Sequence, residues 1–269
     1  MNAVHRARKK RGKFMKATLR KIAIAVTTLS VGALLVTGHA AADPAFGTGQ
    51  LIINEYNAVG PEKFLEEGHD PAFGNAPVLG NGGDWLELVV VEDHLDISGW
   101  RINWENLDPD AGSLTFTNAW SSIDLRAGTI ITIRRDGGSS VTDASYNPCG
   151  AGDWNIAIDA NDTTYVTQSG HAFKTDNDGW IAQIRDNNNV LVQDWVGEQG
   201  LTDPDVIWAG SGINSEEVGK LEANPSSAAA DPSTNPNYQD GNCSSYGQPN
   251  CWNNGLGVQD FDGLRTCAP

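Results

Sequence analysis

Short runs in which apolar and polar residues alternate recur along this chain. The clearest occupies residues 85–91, where aromatic, Leu and Val side chains surround a lone acidic residue, Glu87. That composition and spacing are typical of a β-strand. Polar residues 92–94 interrupt the pattern, and a second apolar run follows at 95–100. Two such runs joined by a short polar turn predict a β-hairpin.

Further alternating runs predict more strands, at residues 51–56, 113–117, 129–134, 179–184 and 190–196. The last two are separated by Asp and Asn residues at 186–189, which tolerate left-handed backbone, so they predict a second hairpin. Short strands cut by Gly and Asp turns indicate an all-β sandwich rather than βαβ units.

Three long stretches carry no sustained period and are predicted to be inserted loops, at residues 57–83, 136–175 and 221–242. Within the first, residues 61–67 predict one helical turn, because Pro61 suits the first position of a helix. A loop as long as 57–83 in a compact domain is either functional or poorly ordered. It is therefore the first insertion that we expect to bind something.

Residues 84–88 (DWLEL) and 95–100 (LDISGW) are similar to the W-[IVL]-E-L and [VL]-x-L-S-G-W core of the lamin tail domain. LIINE at 51–55 resembles the opening strand of that family, LRAGTIITI at 125–133 a later strand, and YGQPN at 246–250 its terminal motif. The matches follow the family order, which makes them more specific together than singly. The chain departs from the family where Val90 and Val91 extend the strand and where inserted loops lengthen it.

The resemblance implies an immunoglobulin-like β-sandwich that serves as a non-enzymatic binding or surface-architecture module. In bacterial chains the family often accompanies hydrolases, which implies an accessory role. We expect one such domain over residues 43–269, with long inserted loops and a disulfide-stapled C-terminal tail. A carbohydrate-binding module is the alternative, and a secreted hydrolase is a more distant one.

The first 42 residues have the organisation of a secretory signal peptide. Nine basic residues precede residue 22, an apolar run follows at 22–36, and small residues at 40–42 provide a cleavage site. The run is shorter than the roughly 20 apolar residues of a membrane span, and an uncleaved anchor is the alternative. We expect export, cleavage after Ala42 and no stable membrane span, with Met1 and Met15 as alternative start sites.

Charge is distributed unevenly along the chain. Residues 43–269 hold all 34 acidic residues but only nine of the 18 basic ones, a formal net charge of −25. Such a surface repels nucleic acid phosphates and anionic lipid head groups, so we expect no nucleic acid partner. The same charge favours cations or basic partners, and solubility outside the cell is the alternative explanation.

All four cysteines lie in the part of the chain that is predicted to be exported. An even number in an oxidising compartment indicates two disulfides. No C-x-x-C spacing occurs, which makes zinc a poor interpretation. Of the three pairings we favour Cys243 with Cys251, because these residues flank a turn-rich loop, and hence Cys149 with Cys267. The other pairings stay open.

No catalytic constellation stands out in the sequence. Residues 43–269 contain the histidines His69, His94 and His171, and neither G-x-S-x-G nor H-E-x-x-H occurs. These motifs are the common signatures of serine hydrolases and zinc peptidases. We therefore predict that the chain is not an enzyme.

Glu55 and Glu87 are predicted to lie in strands beside apolar residues. A buried carboxylate pair can act as acid and base when its pKa values are pushed apart. The resemblance instead places both residues where a carboxylate accepts backbone N–H bonds near a turn. Because buried charges persist only when they are paired or hydrogen-bonded, we favour the structural role.

Closely spaced Asp and Asn residues provide oxygen ligands of the kind that calcium prefers. One cluster comprises Asp159, Asn161 and Asp162, and a rival cluster comprises Asp176 and Asp178. Neither fits an EF-hand loop, and turn formation explains the same residues. Calcium is thus a candidate ligand, and no other cofactor is predicted.

Nine tryptophans are a high number for this length. Four fall in or beside predicted strands and are expected in the core: Trp85, Trp100, Trp180 and Trp195. Three fall in predicted loops and are candidates for stacking on sugar rings: Trp154, Trp208 and Trp252. The predicted partner is therefore a protein or an extracellular polysaccharide.

Overall fold

The computed structural model describes residues 47–66, 68–107, 110–135, 142–197, 213–228, 238–252 and 256–267. The predicted signal peptide and Trp208 lie outside the described residues. Two large sheets dominate the described part of the chain, so the predicted all-β sandwich is confirmed. None of the described helices has the length and apolar character that crossing a bilayer requires.

The first sheet contains, among the described residues, six strands: β1 (Leu51–Asn57), β2 (Asp84–Val90), β5 (Ile130–Arg135), β6 (Asn155–Asp159), β10 (Val218–Leu221) and β11 (Tyr238–Gly241). Their order across the sheet is β11-β10-β1-β2-β5-β6. Neighbouring strands run antiparallel, apart from the parallel pair β5 and β6. A bulge in β1 separates Ile53 from Glu55, which stands opposite Glu87 of β2.

The second sheet contains, within the described ranges, five antiparallel strands: β3 (Arg101–Glu105), β4 (Ala111–Phe116), β7 (Val166–Gly170), β8 (Ile181–Arg185) and β9 (Leu191–Gly197). Their order is β7-β4-β3-β8-β9. A small hairpin follows near the C-terminus, formed by β12 (Cys251–Trp252) and β13 (Gly257–Val258). The helical segments are short: Pro71–Phe73, Leu79–Gly82, Asn118–Ser122 and Pro148–Ala151.

The strand order is that of an immunoglobulin-like sandwich. In such folds the strands A, B and E share one sheet and C, F and G the other. Here β1, β2 and β5 are neighbours in the first sheet, and β3, β8 and β9 in the second. The start of β1 also approaches β9, since the Gly49 N–H donates to the Val192 carbonyl at 2.8 Å. The remaining strands extend this common core.

Apolar side chains are buried on both faces of the first sheet. Between the sheets they form the main core, with Trp104, Trp120 and Trp180 at most 1% exposed. On the outer face a second cluster forms around Trp85 and Val218, and the inserted loop 57–83 and the C-terminal segment contribute the residues that cover it. This cover explains why every described position of β1 is buried.

The predicted hairpin between residues 85–91 and 95–100 is wrong. Strand β2 pairs with β1 and β5, whereas β3 begins only at Arg101 and belongs to the other sheet. The backbone turns within the apolar run, because the Asp96 carboxylate accepts the Ser98 N–H and Gly99 has a φ of +77°. The run therefore crosses between the sheets and places Ile97 and Trp100 in the core.

The second predicted hairpin is confirmed as β8 and β9. In its turn the Asp186 carboxylate accepts the N–H groups of Asn188 and Val190 at 2.8 and 2.7 Å, and Asn189 adopts a φ of +66°. Asn tolerates this left-handed conformation better than most residues.

Several stretches that lacked a visible period nevertheless form strands. Strands β6 and β7 lie within 136–175, and β11 lies within 221–242, which was expected only to wrap around the fold; β10 ends at Leu221, the first residue of that stretch. The helical turn predicted from Pro61 is also wrong, since its described residues 61–66 contain turns and no helix. The Glu66 N–H donates instead to the Glu216 carbonyl, and the Lys63 carbonyl accepts the Gly80 N–H.

Both favoured disulfides are present, Cys149–Cys267 and Cys243–Cys251, and no cysteine is free. Their sequence separations are 118 and 8 residues. The first fixes the C-terminus to the helix at Pro148–Ala151, and the second closes a small loop at the edge of the buried outer face. Such bonds are compatible with an extracellular protein.

Candidate functional site

The inserted loop 57–83 is fastened to the end of the sandwich by Asn57. The Asn57 side-chain amide donates to the carbonyls of Gly80 and Gly83 at 2.9 and 2.7 Å, and its Oδ1 accepts from the Asn81 amide at 3.3 Å. Gly80 and Asn81 adopt φ values of +69° and +41°, so the chain reverses there in a left-handed turn. These buried bonds return the insertion to the sheet at a fixed place.

Bonds to a later segment hold the first half of the insertion. The Gly60 N–H donates to the Ser215 carbonyl at 2.9 Å, and the Glu66 N–H donates to the Glu216 carbonyl at 2.8 Å. Lys63 forms an exposed ion pair with Glu216 at 2.9 Å. The insertion is thus an ordered part of the fold, with residues 213–217 as its neighbour.

A groove of about 410 Å³ opens between the insertion and the segment that precedes β8. We call it the insertion groove. One wall is formed by residues 58–61, Gly80 and Gly83 of the insertion; the other is formed by Arg135 and residues 174–177, and Asp84 lies at the start of β2. The wall of the insertion is small and rich in backbone, whereas the opposite wall carries charged groups.

Asp84 is the group of the insertion groove whose pKa is raised. Its Oδ1 accepts the Thr175 N–H at 3.3 Å, and its Oδ2 lies 3.8 Å from Arg135 Nη1. Burial raises the pKa of Asp84 to about 6, and the nearby Asp176 adds to the rise, while the Thr175 bond and Arg135 oppose it. An acidic group with such a pKa changes charge in the mildly acidic range.

Three exposed apolar residues lie in the segments next to the residues that line the insertion groove. Phe64 is 48% exposed and Leu79 is 53% exposed, and the Gly80 N–H to Lys63 carbonyl bond brings their backbones together. On the other wall Leu107 is 48% exposed, and its N–H donates to the Asp178 carbonyl beside Asn177. Exposed apolar groups around a polar groove are typical of interaction surfaces.

A second polar centre lies beneath the Cys243–Cys251 loop, and we call it the carboxylate clasp. Glu55 and Glu87 are fully buried and Asp70 is 3% exposed. Glu55 accepts the N–H and the hydroxyl of Ser245, and Glu87 accepts the Gly247 N–H at 2.7 Å. Asp70 accepts the Tyr246 N–H at 2.7 Å and the Ser244 hydroxyl at 2.7 Å.

The electrostatics of the carboxylate clasp reflect its burial. Desolvation raises the pKa of Glu55 to about 8, against the attraction of Lys220. Desolvation and the Glu55 charge raise the pKa of Glu87 well above its ordinary value. Burial lowers the pKa of Lys220, although Glu55 opposes this. The carboxylates accept hydrogen bonds from the C-terminal loop, which is the structural role favoured from the sequence.

The histidines form exposed contacts rather than a catalytic pair. His94 Nδ1 lies 2.7 Å from Asp124, with both side chains more than 60% exposed, and His171 Nδ1 lies 2.8 Å from Asp110. His69 precedes the clasp residue Asp70. No described nucleophile accompanies these imidazoles in a hydrogen-bonded chain of the kind that activates a hydrolase.

The predicted calcium ligands take part in turns. Asp159 Oδ1 accepts the Asn161 N–H at 2.8 Å, and Asp162 Oδ1 accepts the Thr164 N–H at 2.9 Å. In the rival cluster Asp176 Oδ1 accepts its neighbour's N–H at 2.8 Å, and Asp178 is exposed. Among the described residues, no group of three or more His, Cys, Asp or Glu side chains is placed to hold a metal ion. Calcium binding stays a prediction.

The described loop tryptophans differ in environment. The Arg265 guanidinium lies 5.4 Å from the Trp154 ring centre, so one indole face already has a cationic neighbour. Trp252 lies in strand β12 rather than in a loop, and it is partly exposed. Of the four tryptophans expected in the core, three are buried, and Trp195 is only partly buried.

No family model matches the chain, and no curated protein or solved structure matches it either.

The sequence singled out the 57–83 insertion and Asp176 but did not connect them with the other residues of the insertion groove. Asp84, Arg135 and Thr175 are far apart in the chain, and the pairing of β2 with β5 and the Thr175 bond bring them together. Lys220 was missed as well, although a lone lysine between apolar residues is a recognisable signal of a buried cation. The 57–83 insertion, which was expected to bind something, forms one wall of this groove, and its binding role stays a prediction.

Proposed function

We propose that the chain is a non-enzymatic binding module that engages a partner polypeptide at the insertion end of the sandwich. The observation that carries this proposal is the insertion groove, which has the inserted loop as one wall and has exposed Phe64, Leu79 and Leu107 in the segments next to its lining residues. A fixed concave surface with apolar groups around a few charged ones is what a specific interface requires.

The motif resemblance to the lamin tail domain supports the same proposal. It implies an immunoglobulin-like module for binding or surface architecture, and the order of strands is consistent with that expectation. The signal peptide proposed for residues 1–42 and the two disulfides support a place outside the cell, where the partner would be met.

Substitutions in the apolar rim test the proposed function. The purified full chain is immobilised and used to capture proteins from the surface extract of the producing cell, with Leu79→Ser and Phe64→Ser as rim variants. Val258→Ser is the matched control, because Val258 is 57% exposed but lies in the distant hairpin β12–β13. We expect both rim variants to lose a specific partner that the control retains. Equal capture by all of these proteins would contradict the proposal.

Carbohydrate binding is the second candidate function, and Trp252 favours it. This side chain is partly exposed, and it lies beside Leu256, which is 90% exposed. Aromatic rings of this kind stack on the apolar faces of sugars. Titration with oligosaccharides should then change the tryptophan fluorescence in the wild type and not in Trp252→Ala. An unchanged spectrum in the wild type would exclude this candidate for the sugars tested.

A further inference from the structure

Asp84 is only loosely held by protein groups and is accessible in the insertion groove. An ionised carboxylate offers about four lone-pair sites. In the described part of the chain, Oδ1 accepts one bond of 3.3 Å from Thr175, and the nearest cation to Oδ2 is Arg135 Nη1 at 3.8 Å, beyond hydrogen-bond length. The Oδ2 atom thus has a long ion pair and no described hydrogen-bond donor, and because the side chain is 32% exposed a ligand in the insertion groove can reach it.

The cations of the insertion groove are engaged elsewhere. Arg135 Nη1 donates to the Phe173 carbonyl at 3.0 Å. Lys174 lies 2.8 Å from Asp110 and 3.7 Å from Asp176. Neither cation therefore makes a hydrogen bond with Asp84, whose charge is compensated only loosely.

Thr175 supplies a second unsatisfied polar atom in the same wall. The residue is 8% exposed, and its Oγ1 has no hydrogen-bond partner among the described residues. Buried polar groups without partners are rare in folded proteins, and each calls for an explanation. Asp84 and Thr175 are both among the residues that line the insertion groove, and the buried Thr175 hydroxyl belongs to the residue whose backbone N–H donates to the accessible carboxylate.

We propose that the insertion groove receives a basic side chain or terminal amine of a partner polypeptide, whose cationic N–H groups donate to Asp84 Oδ2. This inference rests on the proposed function and specifies the chemistry of the partner. The net charge of −25 over residues 43–269 attracts a basic partner over longer range. The exposed rim at Phe64 and Leu79 is suited to the aliphatic stem of a lysine or arginine.

The probe for this proposal is a fluorescein-labelled pentalysine peptide, titrated with the purified full chain at about 150 mM salt, which screens distant charges. Asp84→Asn keeps an acceptor for the Thr175 N–H but removes the charge. Asp96→Asn is the matched control, because this exposed residue lies beyond the far end of β2 and Asn can still accept the Ser98 N–H. Fluorescence anisotropy gives the dissociation constants.

We expect Asp84→Asn to weaken binding at least tenfold and Asp96→Asn to change it less than twofold. Equal weakening in both variants would show unspecific attraction to an acidic surface and would overturn the proposal, as would no saturable binding by the wild type. If the rim variants lose the captured partner while Asp84→Asn binds pentalysine as the wild type does, the proposed function stands and this inference fails.

The pH dependence of peptide binding provides an independent test. Because burial raises the pKa of Asp84 to about 6, peptide binding should strengthen as the pH rises through that value. The other charged groups around Asp84 are Arg135, Lys174 and Asp176, and Lys174 also contacts Asp110, which pairs with His171. Asp84→Asn should abolish the pH dependence and His171→Gln should preserve it. The reverse pattern would overturn the assignment.

Discussion

Removal of the Ser245 hydroxyl tests the carboxylate clasp. This hydroxyl donates to Glu55 Oε2 at 2.8 Å, in a place where Glu55 is fully buried and Ser245 is 8% exposed. In Ser245→Ala the backbone N–H of residue 245 still reaches the carboxylate, so the hydroxyl's bond to Glu55 is deleted together with its longer contact to Asn250 Oδ1 at 3.2 Å, which involves no ionisable group. We expect a loss of stability that depends on the pH, because the strength of that bond depends on the charge of Glu55.

The size of the stability loss in Ser245→Ala follows from the two charge states of Glu55. A hydrogen bond to a charged group contributes about 1.5–3 kcal/mol, whereas a neutral one contributes about 0.5–1.5 kcal/mol. The pKa of Glu55 is raised to about 8 in the folded state. Ser245→Ala should therefore lose about 1 kcal/mol near pH 6 and about 2–3 kcal/mol above pH 9. The difference arises because the deleted bond favours the ionised carboxylate.

The direction in which stability changes with pH can be worked out for the wild-type protein. A carboxylate whose folded pKa is raised binds protons more tightly in the folded state, so its contribution to stability is present below about 4.5 and is lost as the pH rises to about 8. In Ser245→Ala the pKa rises further, and the loss continues to higher pH. The gap between the two stability curves must widen with pH.

Urea denaturation of both proteins across this pH range measures that gap. Ser122→Ala is the control, since the Ser122 hydroxyl donates to the Ala119 carbonyl in an exposed helix and no ionisable group is involved. Its effect should be small and independent of pH. A gap for Ser245→Ala that stays constant or narrows with pH would refute the assignment of a raised pKa to Glu55.

Replacing both cysteines of the Cys149–Cys267 bridge by serine should lower the free energy of unfolding by about 4.9 kcal/mol, and removing the bridge that spans 8 residues by only about 2.5 kcal/mol, because loop-closure entropy grows with the logarithm of loop length. Chemical denaturation should show that order, and the opposite order would contradict it. Trp100→Ala should destabilise by roughly 3–5 kcal/mol in the same assay, since the buried indole is 6% exposed. Asp84→Asn should stabilise by about 1 kcal/mol near pH 7.5 and not near pH 4, because the folded state disfavours ionised Asp84 and its side chain is about a third exposed. Thermal melts that show the same shift at both pH values would contradict that expectation.

Alternation predicted strands well where a run was long enough. Strands β1, β2, β5, β8 and β9 lie within two residues of their predicted bounds. Strand β6 was missed because its alternating apolar residues are only Ile156 and Ile158, too few to establish a period. Strand β10 was missed because Lys220 interrupts its apolar residues. This lysine is nevertheless buried, since carboxylates such as Glu55, which is distant in the sequence, compensate its charge.

Pairing partners were harder to predict than strands. The run at 95–100 has the composition of a strand, but periodicity states only that a segment is extended and half-buried, and not which strand lies beside it. Gly99, which has a positive φ, turns the chain towards the other sheet and so determines which strands β3 pairs with. The insertion groove was beyond sequence reasoning for the same reason, since Asp84 and Thr175 meet only through tertiary structure.

The carboxylate clasp constrains how this chain can be made. The partners of Glu55 and Asn54 are 190–205 residues later in the sequence: Ser245 and Gln259 donate to them, and Asn250 Oδ1 accepts from the Asn54 amide. A chain that emerges from its N-terminus thus exposes β1 long before the groups that satisfy its polar side chains exist. Burial of those side chains without donors is unfavourable, so the first sheet must wait for the last residues. A chain that stops before residue 243 therefore lacks the groups that bond to Glu55 and Asn54 and cannot complete the carboxylate clasp.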